Sequence, residues 1–360
     1  MFAGGFNLES ACAVAGSDQD EFEVLNLLDA LVRKSLLVAD RSSGRTRFSM
    51  LETIRQFAEE QLVARGEASE IRAAHSRYFA GREADILALW DSPHQREAYD
   101  WFSVELANLR TAFRWAADHG DLDVAATLAT YVGLLGVGVQ TFEPIAWAEE
   151  LIESARTVDH PRLAFLYVIA SMCYTTGRIE AAVRYSDAGQ IVLGRSREAL
   201  PYGIEACLGF AYLAIGQPER LAELCRVQLA RRRDTHVHIR AWLVAALSFA
   251  GSVGEAMDTA DGLIEAAEAT GNPSVLAMAL GAYGSAFRDA DPIGALNALS
   301  PLTAAAFPKL STAIAHLREV LGGPAYESLA RAGEKITTAM ASYAYDQIDQ
   351  ARAQLNVVSK

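Results

Sequence analysis

The segment from Leu31 to Ala58, LVRKSLLVADRSSGRTRFSMLETIRQFA, constrains the fold most because the spacing of its apolar residues changes twice. Just before and at its start, the 3.6-residue period of a helix places three residues on one face: Leu25, Leu28 and Val32. Ser35–Ala39 then predicts a short strand, residues 41–44 a turn, and the alternation over residues 45–50 a second strand. A helical pattern follows. The segment therefore predicts a small winged-helix-like unit with one β-hairpin.

After about residue 70 the sequence predicts helices separated by short breaks. One of them carries a continuous apolar stripe at helical spacing: Phe102, Leu106, Leu109, Phe113 and Ala116. This helix is predicted to end at His119 and Gly120, since a glycine beyond the last periodic residue is a usual helix stop. The body of the chain is therefore expected to be mainly α.

A faint repeat runs through the central part. Gly177, Gly216, Gly251 and Asp291 each begin a turn that opens a helix, and these positions lie 39, 35 and 40 residues apart. The spacing is somewhat longer than the period of about 34 residues in tetratricopeptide repeats. Three small residues are predicted to let the paired helices cross closely: Ala181, Ala256 and Ala295. The pattern predicts an α-solenoid of tetratricopeptide-like helix hairpins, because a single pair cannot bury its apolar face.

These features divide the chain into three predicted domains. Residues 1–66 form a partial winged-helix-like domain, residues 67–310 the helical repeat domain, and residues 311–360 the C-terminal capping helices.

Four motifs carry a resemblance to a known family. They are VRKSLL, RFSMLETIRQFAEEQL, HSRYFA at residues 75–80 and ELANLRTAFRWA at residues 105–116. Together they resemble the part that follows the ATPase in STAND-type bacterial transcriptional regulators, the LuxR-type and cyclase-linked regulators of actinobacteria. The resemblance implies a winged helix that packs on a nucleotide-binding ATPase module, a tetratricopeptide-like sensor region and often a C-terminal helix-turn-helix. It covers most of the first 120 residues well and the rest loosely.

Two modules of that family are not expected in this chain. No stretch fits the phosphate-binding loop G-x-x-x-x-G-K-[ST], and the nearest one, residues 332–337, has Glu334 before Lys335. No helix-turn-helix pattern is predicted near Lys360. Relative to the family we therefore expect a chain shortened at both ends, whose ATPase is a separate chain or absent.

Catalytic, cofactor and metal sites are not predicted. Four scattered cysteines show no C-x-x-C spacing, which favours buried thiols in a reducing cytoplasm: Cys12, Cys173, Cys207 and Cys225. His236 and His238 are two residues apart, whereas a helical metal site uses i and i+4. The uncharged segment Val124–Phe142 has the length of a membrane span, but Gly133, Gly136 and Gly138 favour a buried helix followed by a glycine turn.

The charges near the hairpin raise the question of DNA binding. Six basic residues oppose two acidic ones between positions 33 and 55: Arg33, Lys34, Arg41, Arg45, Arg47 and Arg55. The helix before the hairpin, which would read bases in a DNA-binding winged helix, instead carries acids in and just before it: Asp18, Asp20, Glu21, Glu23 and Asp29. The whole chain has a net charge of −13. Nucleic acid is therefore not the expected partner.

Three hypotheses follow. The first is a non-enzymatic, signal-sensing fragment of a transcriptional regulator whose helical surface binds a protein, peptide or small effector. Its predicted partner contacts are Arg47, Glu52 and Arg55, and its predicted domain junction is Trp101, Asn108 and Arg110. The second is a DNA-binding regulator that uses the basic hairpin through Arg41, Arg45 and Arg47. The third is a degenerate gene product without an independent role.

Overall fold

A computed structural model describes residues 2–15, 20–41, 46–195, 200–231, 237–288 and 290. All of them belong to one unit of the chain. Within these residues there are sixteen α-helices and one two-stranded antiparallel sheet. The prediction of a mainly α chain, with a winged-helix unit and one β-hairpin followed by many helices, is confirmed. The predicted capping helices over residues 311–360 lie outside the described residues.

The N-terminal unit contains three helices and the hairpin. Its elements are α1 (Leu8–Ala15), α2 (Glu21–Arg33), β1 (Val38–Asp40), β2 (Arg47–Ser49) and α3 (Glu52–Arg65). The strands pair in the register Val38 with Ser49 and Asp40 with Arg47. Phe6 adds a bridge to the free edge of β2 through two backbone hydrogen bonds with Phe48, of 2.8 and 2.7 Å. The chain before α1 is therefore held against the hairpin.

Two details of this unit differ from the sequence prediction. The buried face of α2 is formed by Val24 and Leu28, whereas Leu25 is 41% exposed, because the small core lies on one side of the helix only. The first strand begins at Val38 and not at Ser35, whose positive φ of 58° belongs to the turn that ends α2. Arg45 lies outside the described residues.

The remaining helices follow one another to Phe287. They are α4 (Ala68–Gly81), α5 (Glu83–Trp90), α6 (Gln95–Asp118), α7 (Leu122–Gly138), α8 (Glu143–Thr157), α9 (Leu163–Ser171), α10 (Ile179–Arg195), α11 (Phe210–Ala214), α12 (Pro218–Ala230), α13 (His238–Phe249), α14 (Val253–Ala260), α15 (Leu263–Thr270) and α16 (Pro273–Phe287). Two 3₁₀ segments, Met172–Thr176 and Pro201–Gly209, lie among them. From α6 to α10 each helix packs on the next, as in an array of helix hairpins.

The apolar stripe predicted for α6 forms the centre of the largest core. Phe102, Leu109 and Phe113 are fully buried and Leu106 is partly buried. The helix ends before His119 and Gly120, and Gly120 has the positive φ of 71° that a glycine readily adopts. Both predictions for α6 are confirmed.

The predicted glycine turns also occur. Gly177, Gly216 and Gly251 have φ values of 82°, 70° and 78° and precede α10, α12 and α14. The fourth turn, at Asp291, and Ala295 lie outside the described residues. Ala256 is fully buried as predicted, but in α10 the buried residue is Ala182 and not Ala181, one position along the helix. The assignment to tetratricopeptide-like repeats stays a prediction.

The uncharged segment after Val124 forms the buried helix α7. A turn follows it at Val139 and Gln140, as predicted, but Gly133, Gly136 and Gly138 lie inside the helix, so the assignment of the turn to these glycines is wrong. They are needed for close packing: a Cβ on Gly136 would lie 2.5 Å from the carbonyl oxygen of Thr141, and one on Gly133 would lie 2.5 Å from Ile169. Among the described residues no helix combines the length and apolar character of a membrane span.

A contact between distant parts of the chain closes the helical array on itself. The Asn272 side chain caps α16 by accepting from the backbone N–H of Ser274 at 2.9 Å. The same side chain donates to Asp91 at 2.9 Å and accepts from Gln95 at 3.3 Å, in the loop and first turn between α5 and α6. Gln95 and Asn272 are buried. Because both amides are buried, these mutual hydrogen bonds fix one arrangement of the two segments.

Replacing Gly136 by alanine is expected to lower the free energy of unfolding by about 1–3 kcal/mol, because the new methyl group meets a backbone oxygen that cannot move aside. Gly194 is the matched control, since a Cβ there meets nothing within 4 Å in an exposed part of α10. Gly194→Ala is expected to raise stability by up to about 1 kcal/mol. Urea unfolding of both variants checks this, and an equal effect of the two would contradict it.

Candidate regulatory interface between the winged helix and the helical region

The N-terminal segment places two backbone groups against α6. The Gly4 N–H donates to Oδ1 of Asn108 at 3.1 Å, and the Gly5 carbonyl oxygen accepts from Nδ2 of Asn108 at 2.9 Å. A Cβ on Gly5 would lie 3.2 Å from the carbonyl oxygen of Phe48, so the absence of a side chain lets this segment lie close to the hairpin. One amide side chain on α6 therefore binds the N–H of Gly4 and the carbonyl group of Gly5, at the two ends of this dipeptide.

An ion pair joins the hairpin to the same place. The Arg47 guanidinium on β2 donates to Oε1 of Glu105 at 2.5 Å and to the Gly5 carbonyl oxygen at 2.7 Å. Oε2 of Glu105 accepts from Nδ2 of Asn108 at 2.6 Å. We call this group of Gly4, Gly5, Arg47, Glu105 and Asn108 the junction cluster. It connects the N-terminal segment, the hairpin and α6 through five hydrogen bonds.

Burial makes the junction cluster dependent on all its members. The Glu105 side chain is 7% exposed and Asn108 is fully buried, while Arg47 retains 24% exposure. A carboxylate taken out of water is stable only when it is paired and its lone pairs accept hydrogen bonds. Separating Arg47 from Glu105 therefore leaves an uncompensated buried charge. Because this is costly, the ion pair favours one position of the hairpin relative to α6.

Aromatic rings form a second contact beside the junction cluster. The Phe2 ring stacks on Phe6 of the winged helix with centroids 4.7 Å apart and meets the edge of His75 on α4 at 5.0 Å. His75 is 1% exposed and also lies 4.8 Å from Phe79. Burial lowers the pKa of His75 from 6.5 to about 3, so this imidazole is neutral at pH 7.

Two further ion pairs cross from the winged helix to α4 and the residue that follows it. Arg82 donates to Glu9 of α1 at 2.6 Å, and Arg72 of α4 pairs with Glu59 of α3. These pairs are partly exposed, so each contributes at most about 1 kcal/mol. The α3–α4 pair is still informative, since α3 has no buried residue and depends on such contacts for its position.

The residues predicted for the domain junction lie in different places. Asn108 lies in the junction cluster. Trp101 lies between Phe79 and Tyr131, with ring centroids 6.5 and 6.4 Å away, inside the helical region. Arg110 forms a bidentate ion pair with Glu143 of α8 on the surface. Of the three residues, Asn108 is the one that bonds to the winged helix. The contacts described for Trp101 and Arg110 are with the helical region.

The residues predicted to contact a partner are also separated. Arg47 is occupied inside the junction cluster. Glu52 and Arg55 pair with each other on the first turn of α3, where Arg55 lowers the pKa of the Glu52 carboxyl by hydrogen bonding to it. Arg41 is exposed just after β1. Glu52, Arg55 and Arg41 thus remain accessible, and their contact with a partner or with DNA stays a prediction.

Glu105 was not singled out from the sequence, although it stands in the same ELANLR motif as Asn108. It precedes Asn108 by three residues, and residues three apart lie on one face of a helix. That spacing is the signal that identifies it. Its partner Arg47 is 58 residues away, and no local pattern gives that pairing.

The described residues offer no group suited to a metal ion. His238 lies with Nδ1 3.0 Å from the carbonyl oxygen of Gly203, to which it donates, and His236 is outside the described residues. Cys173, Cys207 and Cys225 are buried, as predicted, and Cys12 is partly buried. Burial raises the pKa of Cys207 to about 12, which keeps this thiol protonated and unreactive.

Comparison with known proteins agrees with this architecture over part of the chain. The family model of a winged helix-turn-helix domain matches residues 1–63. A Mycobacterium bovis protein provisionally named an HTH-type transcriptional regulator is 40% identical over 157 residues, which are 43% of this chain and 18% of that protein. A Mycobacterium tuberculosis protein with the same provisional name matches equally. An uncharacterized M. tuberculosis protein is 35% identical over 80 residues, 22% of this chain and 20% of its own length. The chain thus matches about a fifth of each relative.

Replacing Arg47 by methionine is expected to destabilise the winged helix by about 2–4 kcal/mol, because Glu105 and the Gly5 carbonyl oxygen lose their donor. Hydrogen exchange at the Phe6 and Phe48 amides, which bond to each other's carbonyl groups, measures this locally. Adding Glu105→Gln to Arg47→Met is expected to restore part of the loss, since no buried charge then remains unpaired. The control is Arg110→Gln, which breaks an exposed pair and is expected to cost less than about 1 kcal/mol.

Acid is expected to destabilise the chain through His75. Between pH 6.5 and about 3 the unfolded chain takes up a proton on this residue and the folded chain does not. The free energy of unfolding therefore decreases as the pH is lowered, and it is about 2 kcal/mol smaller at pH 5 than at pH 7. In His75→Phe this part of the pH dependence is absent, whereas His94→Gln, at an exposed histidine, retains it. Urea unfolding midpoints at both pH values test the difference, and an unchanged pH dependence in His75→Phe refutes it.

Proposed function

We propose that this chain is a non-enzymatic regulatory part of a transcriptional regulator. Its helical region binds a protein, peptide or small effector, and its winged helix docks on a partner that responds to this binding. The resemblance to STAND-type regulators implies that the partner is a nucleotide-binding ATPase module. The winged helix-turn-helix match and the similarity to proteins provisionally named transcriptional regulators support a regulatory role.

The junction cluster is the observation that carries this proposal. A single buried carboxylate, Glu105, is bonded at once to Arg47 of the hairpin and to Asn108 of α6. Glu105 and Asn108 both lie on α6, so a shift of α6 relative to the hairpin would lengthen the bond between Glu105 and Arg47 and leave charge unpaired at a buried position. The hairpin must therefore follow α6, or the cluster must break. Either response links an event on the helical region to the winged helix.

The exposed apolar side chains of the winged helix support a protein partner. Phe22 and Leu27 on α2 are 72% and 55% exposed, and Leu51 and Phe57 at the start and middle of α3 are 61% and 59% exposed. Large apolar side chains gathered on one small unit are typical of protein interaction surfaces. Glu52 and Arg55 lie on the same helix as Phe57, which is where the sequence predicts a partner contact.

DNA binding is the second candidate, and the family match to a winged helix-turn-helix domain favours it. The charges oppose it. On α2 the carboxylates of Glu21, Glu23 and Asp29 are exposed and would face phosphates in the major groove. Arg47, the hairpin cation common to both hypotheses, is already bonded to Glu105. We therefore rank protein docking above DNA binding.

Docking is tested by co-purification of this chain with a nucleotide-binding ATPase module that carries a phosphate-binding loop, produced as a separate polypeptide. The variant Phe22→Ser/Phe57→Ser is expected to lose the complex, because it removes two large apolar contacts at the proposed surface. Phe249→Ser is the matched control, since Phe249 is 65% exposed on α13, away from the winged helix. Equal retention of the ATPase by both variants would exclude the proposed surface.

The DNA alternative is tested by mobility shift of duplex DNA with the full chain. We expect no shift even at about 50 mM salt, where phosphate contacts are strongest. A shift that weakens steeply with salt and disappears in Arg41→Gln/Arg45→Gln would instead establish DNA binding by the hairpin.

A further inference from the structure

A cleft of about 330 Å³ lies between α4 and α6. Its walls carry three guanidinium groups, from Arg72 on α4 and from Arg110 and Arg114 on α6, together with the indole of Trp115. We call it the arginine cleft. Asp118 is the one carboxylate among the lining residues. The volume lies at the small end of the range for pockets that bind metabolite-sized ligands.

Each of the three arginines has N–H donors that its ion pair does not use. Each pairs with a glutamate on a neighbouring helix, Glu59 for Arg72, Glu143 for Arg110 and Glu150 for Arg114. The hydrogen bonds of Arg72 and Arg114 to these carboxylates each use one terminal nitrogen, whereas a guanidinium has five N–H donors. Arg72 and Arg114 therefore each keep a second terminal nitrogen for another acceptor.

The existing ion pairs do not block a ligand. Their side chains are 31–47% exposed, so each pair contributes at most about 1 kcal/mol. A small anion that accepts from two or three guanidinium groups at once gains more than each glutamate provides alone, because fork-shaped donors bind oxygen pairs bidentately. The Asp118 carboxylate repels an anion, so we expect the negatively charged group of a ligand to lie near the arginines and away from Asp118.

The other walls define the shape of the site. The Trp115 ring is fixed by His119, which stacks on it at 3.4 Å, and the Arg72 guanidinium lies 5.3 Å from its centroid. Thr111 contributes a hydroxyl group on α6, and His75 closes the cleft from α4. The lining therefore combines an aromatic ring with three cationic side chains.

We propose that the arginine cleft binds a small multivalent oxyanion, a phosphate or a dicarboxylate, as the effector of this chain. Its role as effector rests on the function proposed above, whereas the binding itself does not. The position fits that role. Arg72 also holds Glu59 of α3, and His75 also packs on Phe2, so two walls of the cleft are the residues that contact the winged helix.

Calorimetric titration of the full chain with inorganic phosphate and, separately, with succinate tests the proposal, with chloride at matched ionic strength as the background. We expect one ion to bind with 1:1 stoichiometry, and which one binds identifies the ligand class. Arg114→Gln and Arg72→Gln are each expected to weaken binding about tenfold or more. The control is Arg156→Gln on α8, an arginine 62% exposed and paired with Glu153 outside the cleft, which is expected to bind as the unmodified chain does.

Two outcomes overturn the inference: no saturable binding of either ion, or the same loss of binding in Arg156→Gln as in the cleft variants. Because Arg72→Gln also releases α3, Arg110→Gln serves as a further cleft variant whose fold does not depend on that contact, and unfolding midpoints confirm that each variant is folded. If an anion binds but does not change the complex with the ATPase, the site is established and its role as an effector site is refuted. If the complex forms but neither anion binds, the site is refuted and the proposed docking stands.

Discussion

The pairing of Glu105 with Arg47 and Asn108 is the constraint on which the arrangement of this molecule depends. The winged helix has a core of its own around Phe6, Leu28 and Phe48, and the helical region has a separate one around α6 and α7. Neither core alone determines how the two are oriented. The buried carboxylate helps to fix their orientation, because Glu105 needs the Arg47 guanidinium of the hairpin as well as the Asn108 amide beside it on α6.

The helical region is held by two kinds of contact. Along the chain, successive helices bury each other, and α9 is so surrounded that all nine of its residues are buried. Across the chain, Asn272 and Gln95 join segments separated by 177 residues. The first kind builds an array from local steps, as in repeat proteins. The second joins the start of α6 to the start of α16, which no local step along the chain provides.

Much of the fold was predictable because local physics determines it. The stripe on α6 gave the helix and its buried face, and Gly177, Gly216 and Gly251 gave three turns, since a left-handed residue there is favourable only for glycine. The failures have equally local causes. Gly133, Gly136 and Gly138 resemble turn residues in sequence, yet they serve close approach of Ile169, Thr141 and Tyr99, and those neighbours are brought there by tertiary packing.

The sequence by itself determined the class of fold and the succession of elements around the hairpin, because periodicity and motif spacing act over one or two turns. Only the tertiary structure decided what the charged residues do. The sequence does not distinguish three of the arginines from one another. In the structure Arg47 pairs with Glu105 at the junction, Arg72 pairs with Glu59 of α3, and Arg110 pairs with Glu143 of α8. The partner of a charge is set by long-range packing, and a local pattern does not contain it.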